Sequence, residues 1–210
     1  MSPKTETHRV DGPAGALQCA IDRPIGVPRA VAVICHPHPQ HGGTMDNKVV
    51  ITLARAFVQL DGMAVRFNFR GVGASEGAWD QGQGEIDDAL AVIRALRAPG
   101  LPLWLGGFSF GGYVAATAAQ RLALSGAADR AERLALIAPA VRSFPAPAVP
   151  AGTLVVQGEA DDVVPLDAVL EWARPQALPI TLVPGAGHFF HGQLTLLKQI
   201  VLAAFGAHGH

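Results

Sequence analysis

Apolar residues recur along this chain in two rhythms, and the rhythms alternate. Residues 30–35, Ala-Val-Ala-Val-Ile-Cys, form an unbroken apolar run rich in β-branched residues, as expected of a strand covered on both faces. From about Asn47 to Leu60, Val50, Leu53, Ala54, Phe57 and Val58 recur at helical spacing, which predicts a helix. Residues 63–69 (MAVRFNF) return to strand. Between Glu85 and Arg97, Ile86, Ala89, Leu90, Ile93 and Leu96 mark one helical face, while Asp87, Asp88, Arg94 and Arg97 fall off it. The acids of that helix come early and its arginines late, as the helix dipole favours, and Pro99-Gly100 ends it. Further strands are predicted at LPLWLGGF (101–108), RLALIAP (133–139), TLVVQG (153–158) and Ile180–Val183. Further helices are predicted over GGYVAATAAQRLAL (111–124), Leu166–Arg174 and Leu194–Phe205. Near the start, Thr7–Val10 and Leu17–Ile21 flank Gly12-Pro13-Ala14-Gly15 and read as a hairpin.

Strands alternating with helices specify an α/β fold on a mostly parallel central sheet, with helices on both faces. No repeat or linker interrupts the alternation, so residues 1–210 are expected to form one domain. In such sheets ligands bind beyond the carboxyl ends of the strands, so chemistry is sought in the loops that follow strands.

Composition narrows the partners. Half of the residues are hydrophobic and only 16% are charged, which excludes a disordered chain. Sixteen basic and seventeen acidic residues leave a net charge of −1 with no basic stripe, so neither nucleic acid nor an anionic membrane surface is an expected partner. No apolar run reaches 18 residues, and MSPKTETHRVDGPAG at the start lacks the apolar core of a signal peptide. A cytoplasmic location is therefore expected. Cys19 and Cys35 are too few for a disulfide framework, and Cys35 reads as a buried reduced thiol.

The chemistry starts at Gly107-Phe108-Ser109-Phe110-Gly111, a G-x-S-x-G string between a predicted strand and a predicted helix. A strand turning sharply into a helix strains the residue at its tip and brings the flanking backbone close, so side chains at 107 and 111 would collide. The serine is left exposed, and the helix N-terminus behind it favours a developing oxyanion. A serine hydroxyl needs a base. VPGAGHFFHG, after the last strand, offers His188, which Gly185 and Gly187 would let bend over the serine; His191 falls where the final helix should begin and fits a capping or rim role. The histidine needs a carboxylate. QGEADDVVP supplies Glu159, Asp161 and Asp162; its pattern favours Asp161, with Asp162 as a solvated neighbour or cap. The order Ser109, Asp161, His188 belongs to one of the common triad folds and not to the other two. For the oxyanion hole, Phe110 offers one backbone N–H. The second is sought in HPHPQHGGTMDNK, where Pro37 and Pro39 have none; His38 is preferred and Gln40 stays open.

Other strings carry less. His36, His38 and His41 are interrupted by prolines and lack a completing cysteine or carboxylate, so no metal is expected, and His36 is read as bonded within its loop. RGVGASEG (70–77) lacks both the G-x-G-x-x-G spacing and a P-loop lysine. Trp79 is equally a rim residue or a packed aromatic. No cofactor is expected.

Taken together, the HPHP…GGTMDNK loop, RFNFRGVGASEG, the serine elbow and PGAGHFFHG make the chain resemble the α/β-hydrolase superfamily over nearly its whole length. Within it, the chain is similar to small lidless bacterial serine hydrolases related to dienelactone hydrolases. The resemblance implies an eight-stranded, largely parallel sheet, with Ser109 as nucleophile, Asp161 as acid and His188 as base, and it makes RGVGASEG (70–77) a structural loop whose arginine and serine pin neighbouring backbone. Dienelactone hydrolases use a cysteine where this chain has Ser109, which favours ordinary ester chemistry. Ala140–Gly152 is too short and proline-rich for a cap domain, so an open site roofed by Gly71–Gly84 and Val141–Pro150 is expected. The expected activity is cleavage of small or accessible carboxylic esters through an acyl-enzyme. A thioesterase, peptidase or acyltransferase would use the same residues, and a non-catalytic binding protein is the reading from another class.

Overall fold

The computed structural model describes residues 5–206. Among them are eight strands: β1 (Thr5–Gly12), β2 (Gly15–Asp22), β3 (Ala30–Cys35), β4 (Gly62–Phe67), β5 (Leu103–Phe108), β6 (Ala131–Ile137), β7 (Leu154–Gly158) and β8 (Thr181–Val183). The α-helices are α1 (Lys48–Gln59), α2 (Gln83–Leu96), α3 (Phe110–Ser125), α4 (Leu166–Ala173) and α5 (Leu194–Gly206). All strands join one sheet in the order β1-β2-β4-β3-β5-β6-β7-β8. The β1–β2 hairpin is antiparallel and joins β4 antiparallel; every later pairing is parallel.

The period-2 alternation of each inner strand divides the core. Val31, Val33, Cys35, Leu103, Leu105, Leu134 and Leu136 face the layer that holds α2, α3 and α4. Ala30, Ala32, Ile34, Trp104, Ala135 and Ile137 face the layer that holds α1 and α5. Burial on both sides is why these strands read as continuous apolar runs rather than alternating ones. Helices therefore cover both faces, as the alternation of elements predicts.

The helix predicted from Glu85 begins earlier, at Gln83. The Glu85 carboxylate accepts from the amides of Gly82 at 2.7 Å and Asp80 at 2.9 Å and so closes the first turn. Asp88 departs further from expectation. It is wholly buried, and Arg70 binds it through Nη2 at 2.7 Å and Nε at 3.0 Å. Helical periodicity treats an aspartate as solvent-facing; a cation delivered by a loop 18 residues away is outside its reach.

This topology gathers the post-strand loops. β4 lies on one side of β3 and β5 on the other. The connections therefore diverge at the carboxyl end between β3 and β5, where an α/β sheet opens a crevice. Ser109 directly follows β5, at the middle of that edge.

Candidate active site

Ser109, buried rather than exposed as the turn predicts because loops from neighbouring strands gather over it, has φ 56° and ψ −119° at the junction of β5 and α3. A non-glycine residue held there is strained, so its neighbours must over-determine it. They do: the Ser109 amide donates to the Ile137 carbonyl at 2.9 Å, and its carbonyl accepts from Ala140 at 3.1 Å and Gly112 at 2.9 Å. The flanking glycines are sterically required. A Cβ on Gly107 would strike the Gly111 carbonyl, and one on Gly111 would strike the Cys35 and His36 carbonyls. The elbow is thus wedged against the end of β3.

His188 follows β8, three strands away from β5, yet its ring lies 4.8 Å from that of Phe108. The loop returns by crossing β7. Gly158 permits the crossing, since a Cβ there would strike the Ala186 carbonyl. The Ala160 amide bonds Ala186 at 2.9 Å and the Glu159 amide bonds Val183 at 3.0 Å. The Glu159 carboxylate accepts from the Gly185 amide at 2.9 Å, so this third acid of the run fixes the bend and does not meet the histidine. Gly185 takes φ 65°, as a tight bend requires. Gly187 takes no such conformation; the other left-handed positions of the loop are Phe190 and Gly192.

His188 is buried, and its Nδ1 lies 2.8 Å from Asp161 Oδ2. A carboxylate only accepts, so Nδ1 carries the proton and Nε2 keeps its lone pair. Among the described residues, Asp161 is the hydrogen-bonded partner of His188, and no such bond joins His188 to the Ser109 hydroxyl. Catalytic hydrogen bonds of this kind are often long before substrate arrives. Asp161 Oδ1 accepts from the amides of Val163 at 2.9 Å and Val164 at 2.7 Å, and Oδ2 also accepts from Gln157 Nε2 at 3.1 Å. Burial alone would raise the Asp161 carboxyl, but hydrogen bonds from His188, Val164 and Val163 overcome it and hold the carboxyl below its usual range. Asp162 is exposed. His191 is exposed on the rim, where with Phe189, Asp46, Asn47, Lys48 and Val49 it lines a hollow of about 270 Å³.

The loop after β3 approaches the same point. Phe110 opens α3, where the first amides have no intrahelical acceptor. Among the described residues the His38 amide donates no backbone hydrogen bond, whereas the Gln40 amide donates to His38 Nδ1 at 3.2 Å. That occupied amide favours His38 over Gln40 as a donor to a ligand. Burial, then the nearby His41, lowers the pKa of the His38 imidazole. His36 is buried, with Nδ1 2.6 Å from the Pro37 carbonyl and Nε2 accepting from the Phe69 amide at 3.1 Å. Both ring nitrogens are spent within the fold. Among the described residues no cluster of three or more His, Cys, Asp or Glu is arranged to hold a metal.

Sequence reasoning missed two features. The first is an aromatic cluster from four segments: the His38 ring lies 4.6 Å from Trp79, 5.3 Å from Phe110 and 5.8 Å from Phe144, and Phe110 lies 4.9 Å from Phe144. Trp79 and Phe144 come from the two loops expected to roof the site, and the connection between β6 and β7 holds turns but no cap helix. The second is Gln157, a wholly buried amide touching Asp161. No local signal marks the first; a lone polar residue at the end of an apolar strand is the only trace of the second. In the 70–77 loop, Ser75 does pin backbone, bonding the Asn68 carbonyl at 2.7 Å and the Gln18 amide at 2.9 Å. Arg70 instead spends its guanidinium on the Asp88 carboxylate.

With that geometry in view, the chain can be compared with known proteins. The Hydrolase_4 family model, described as serine aminopeptidase, S33, matches residues 26–150, more than half of the chain. The chain belongs to this hydrolase family. An α/β serine hydrolase without lid from Xanthomonas campestris is 39% identical and superposes with a TM-score of 0.87, covering 99% of this chain and 96% of that one. An α/β serine hydrolase homologue from Coxiella burnetii is also 39% identical, with a TM-score of 0.83 over 97% of each chain. An uncharacterized protein of Rickettsia prowazekii is 30% identical, spanning 86% of this chain and 80% of its own length. The hydrolase described here therefore has the lidless α/β-hydrolase fold. No helix among its described residues is long and apolar enough to cross a membrane.

Proposed function

We propose that this hydrolase cleaves carboxylic esters of small or accessible substrates through an acyl-enzyme, with Ser109, His188 and Asp161 as its triad. Ser109 Oγ attacks the ester carbonyl and passes its proton to His188 Nε2. Asp161 holds the Nδ1–H tautomer and stabilises the imidazolium. The oxyanion is received by the backbone N–H groups of Phe110 and His38. The imidazolium then protonates the departing alcohol, and water activated by the same imidazole releases the acid.

The observation that carries this reading is the 2.8 Å contact of His188 Nδ1 with a four-donor carboxylate, on a ring 4.8 Å from that of Phe108, the residue before Ser109. The absence of a cap helix between β6 and β7 supports an open site. The aromatic side chains Trp79 and Phe144 lie against His38 and Phe110, the residues assigned to the oxyanion, and leave room for short acyl groups as the supported class. Larger hollows of about 370 and 550 Å³ are lined by other residues, away from Ser109.

The test is a panel of short and long acyl esters, thioesters and aminoacyl amides, run with a fluorophosphonate probe. Turnover of short esters and labelling of the protein are expected, with both lost in Ser109→Ala. Full activity in that variant would sink the assignment. The family description makes aminoacyl amides the informative competitor, because the same first half-reaction opens an amide; faster turnover of those would redirect the reading to a peptidase.

A further inference from the structure

We propose that Gln157 is a positioning residue that locks the Asp161 carboxylate and, through it, orients His188; this rests on the triad reading above. Gln157 is paired with Leu182 of β8 and wholly buried, and Val155 and Val156 beside it in β7 belong to the apolar core. Its Nε2 donates to the Val164 carbonyl at 2.8 Å and to Asp161 Oδ2 at 3.1 Å. Oδ2 is the oxygen that His188 Nδ1 meets. The other end of the amide is unsatisfied: Gln157 Oε1 is buried without a hydrogen-bond partner among the described residues.

Turning the amide over gives no relief, because it would set a carbonyl oxygen against two acceptors, Val164 O and Asp161 Oδ2. A methionine or leucine would remove the orphaned Oε1 but would also strip the donor from the Val164 carbonyl and from Asp161 Oδ2, and buried polar groups left unpaired are costly. The chain thus tolerates one orphan oxygen while presenting an N–H to one particular carboxylate oxygen. That N–H completes a set. A carboxylate has about four lone-pair sites, and Asp161 receives four donors: Val163 and Val164 on Oδ1, Gln157 and His188 on Oδ2. Four donors fix the carboxylate plane, and the plane sets the direction of the imidazole.

Removing the Gln157 donor has two consequences. The carboxylate gains freedom to rotate, so the imidazole is less well aimed and kcat falls. Oδ2 also keeps His188 as its sole donor, so it holds the imidazolium more tightly and the acid limb of kcat/KM moves to higher pH. A role confined to closing the loop through Val164 would lower stability and leave that limb in place. The other ionisable groups on neighbouring elements include Glu159 and Asp162 after β7, Asp167 and Glu171 on α4, His191 after β8, and Asp46 and Lys48 at the start of α1. Among the described residues none of them hydrogen-bonds to Asp161 or His188.

The experiment compares full-length wild type, Ser109→Ala, Gln157→Met and Gln157→Glu, using p-nitrophenyl acetate turnover against pH, fluorophosphonate labelling and thermal unfolding. For Gln157→Met we expect kcat to fall about tenfold with KM nearly unchanged, and the acid limb to rise by roughly half a pH unit. Gln157→Glu has the native size and adds negative charge beside Asp161, so its limb should rise further; it serves if the methionine variant does not fold. A folded variant whose kcat and acid limb match wild type overturns the proposal while leaving the triad intact. Wild type that resists the probe, or an active Ser109→Ala, overturns the triad and this proposal with it.

Discussion

The β3 loop and the β8 loop each deliver a buried histidine to the same edge of the sheet, and only one of the two has a ring nitrogen to spare. His36 spends Nδ1 on the Pro37 carbonyl and Nε2 on the Phe69 amide. It works as a rivet between the ends of β3 and β4. His188 spends Nδ1 on Asp161, and its Nε2 keeps a free lone pair beside the serine elbow. Burial is common to both; what differs is the partner. Two backbone groups occupy both nitrogens of His36, whereas among the described residues His188 is hydrogen-bonded through Nδ1 alone. The same contrast separates the two buried aspartates. Asp88 faces a guanidinium, while Asp161 faces an imidazole and two backbone amides.

That contrast can be broken by substitution. The largest effect is expected at His188: alanine there should cut ester turnover on the order of 10⁶-fold, measured by steady-state kinetics, and leave a folded protein. His36→Ala should retain the chemistry of the folded molecules. Asp161→Asn comes next, with kcat lower by about 10⁴-fold, because an amide can hold the wrong imidazole tautomer. Asp88→Ala should leave kcat alone and cost about 1–3 kcal/mol in denaturant unfolding, since the Arg70 guanidinium loses two close acceptors and, among the described residues, keeps only the exposed Asp80 carboxylate at 3.7 Å. His36→Ala removes the acceptor of the Phe69 amide and should cost about 1–3 kcal/mol by the same measurement.

Acid sharpens the comparison further. Burial lowers His36 from 6.5 to about 4. Between those values the unfolded chain takes up a proton that the folded protein refuses, so stability falls as pH drops from 6.5 toward 4, by about 3 kcal/mol in all. The lowered Asp161 carboxyl acts in the same direction: its contribution is present above the unfolded value and lost as pH falls through the folded one. A His36→Gln variant should show a shallower acid slope in unfolding experiments between pH 6.5 and 4; an unchanged slope would show that His36 is not the group being refused its proton. The smallest effect is expected at Arg142, an exposed residue that pairs with Asp167 at 3.1 Å and Glu171 at 3.4 Å. Arg142→Ala should not shift unfolding measurably, because solvent screens such pairs.

Much of this was legible in one dimension wherever the cause is local. The alternation of apolar runs and helical faces placed strands and helices to within a few residues, because burial on both faces writes itself directly into composition. Gly107 and Gly111 announce the elbow because the clash they avoid is with backbone only a few residues off or at the neighbouring strand end. What stayed hidden involves partners far apart along the chain. Asp88 looks like any surface acid until Arg70 is brought to it. The pattern of QGEADDVVP favours Asp161, but the task of Glu159 appears only when the β8 loop crosses Gly158 and brings the Gly185 amide to its carboxylate. Trp79, His38, Phe110 and Phe144 belong to four separate segments, and no periodicity connects them. Residue type and spacing state which chemistry is available, since they record short-range sterics and solvent preference. Which nitrogen is free, which oxygen is filled and which charge is matched depend on the directions of hydrogen bonds between distant loops, and those directions exist only once the sheet has assembled.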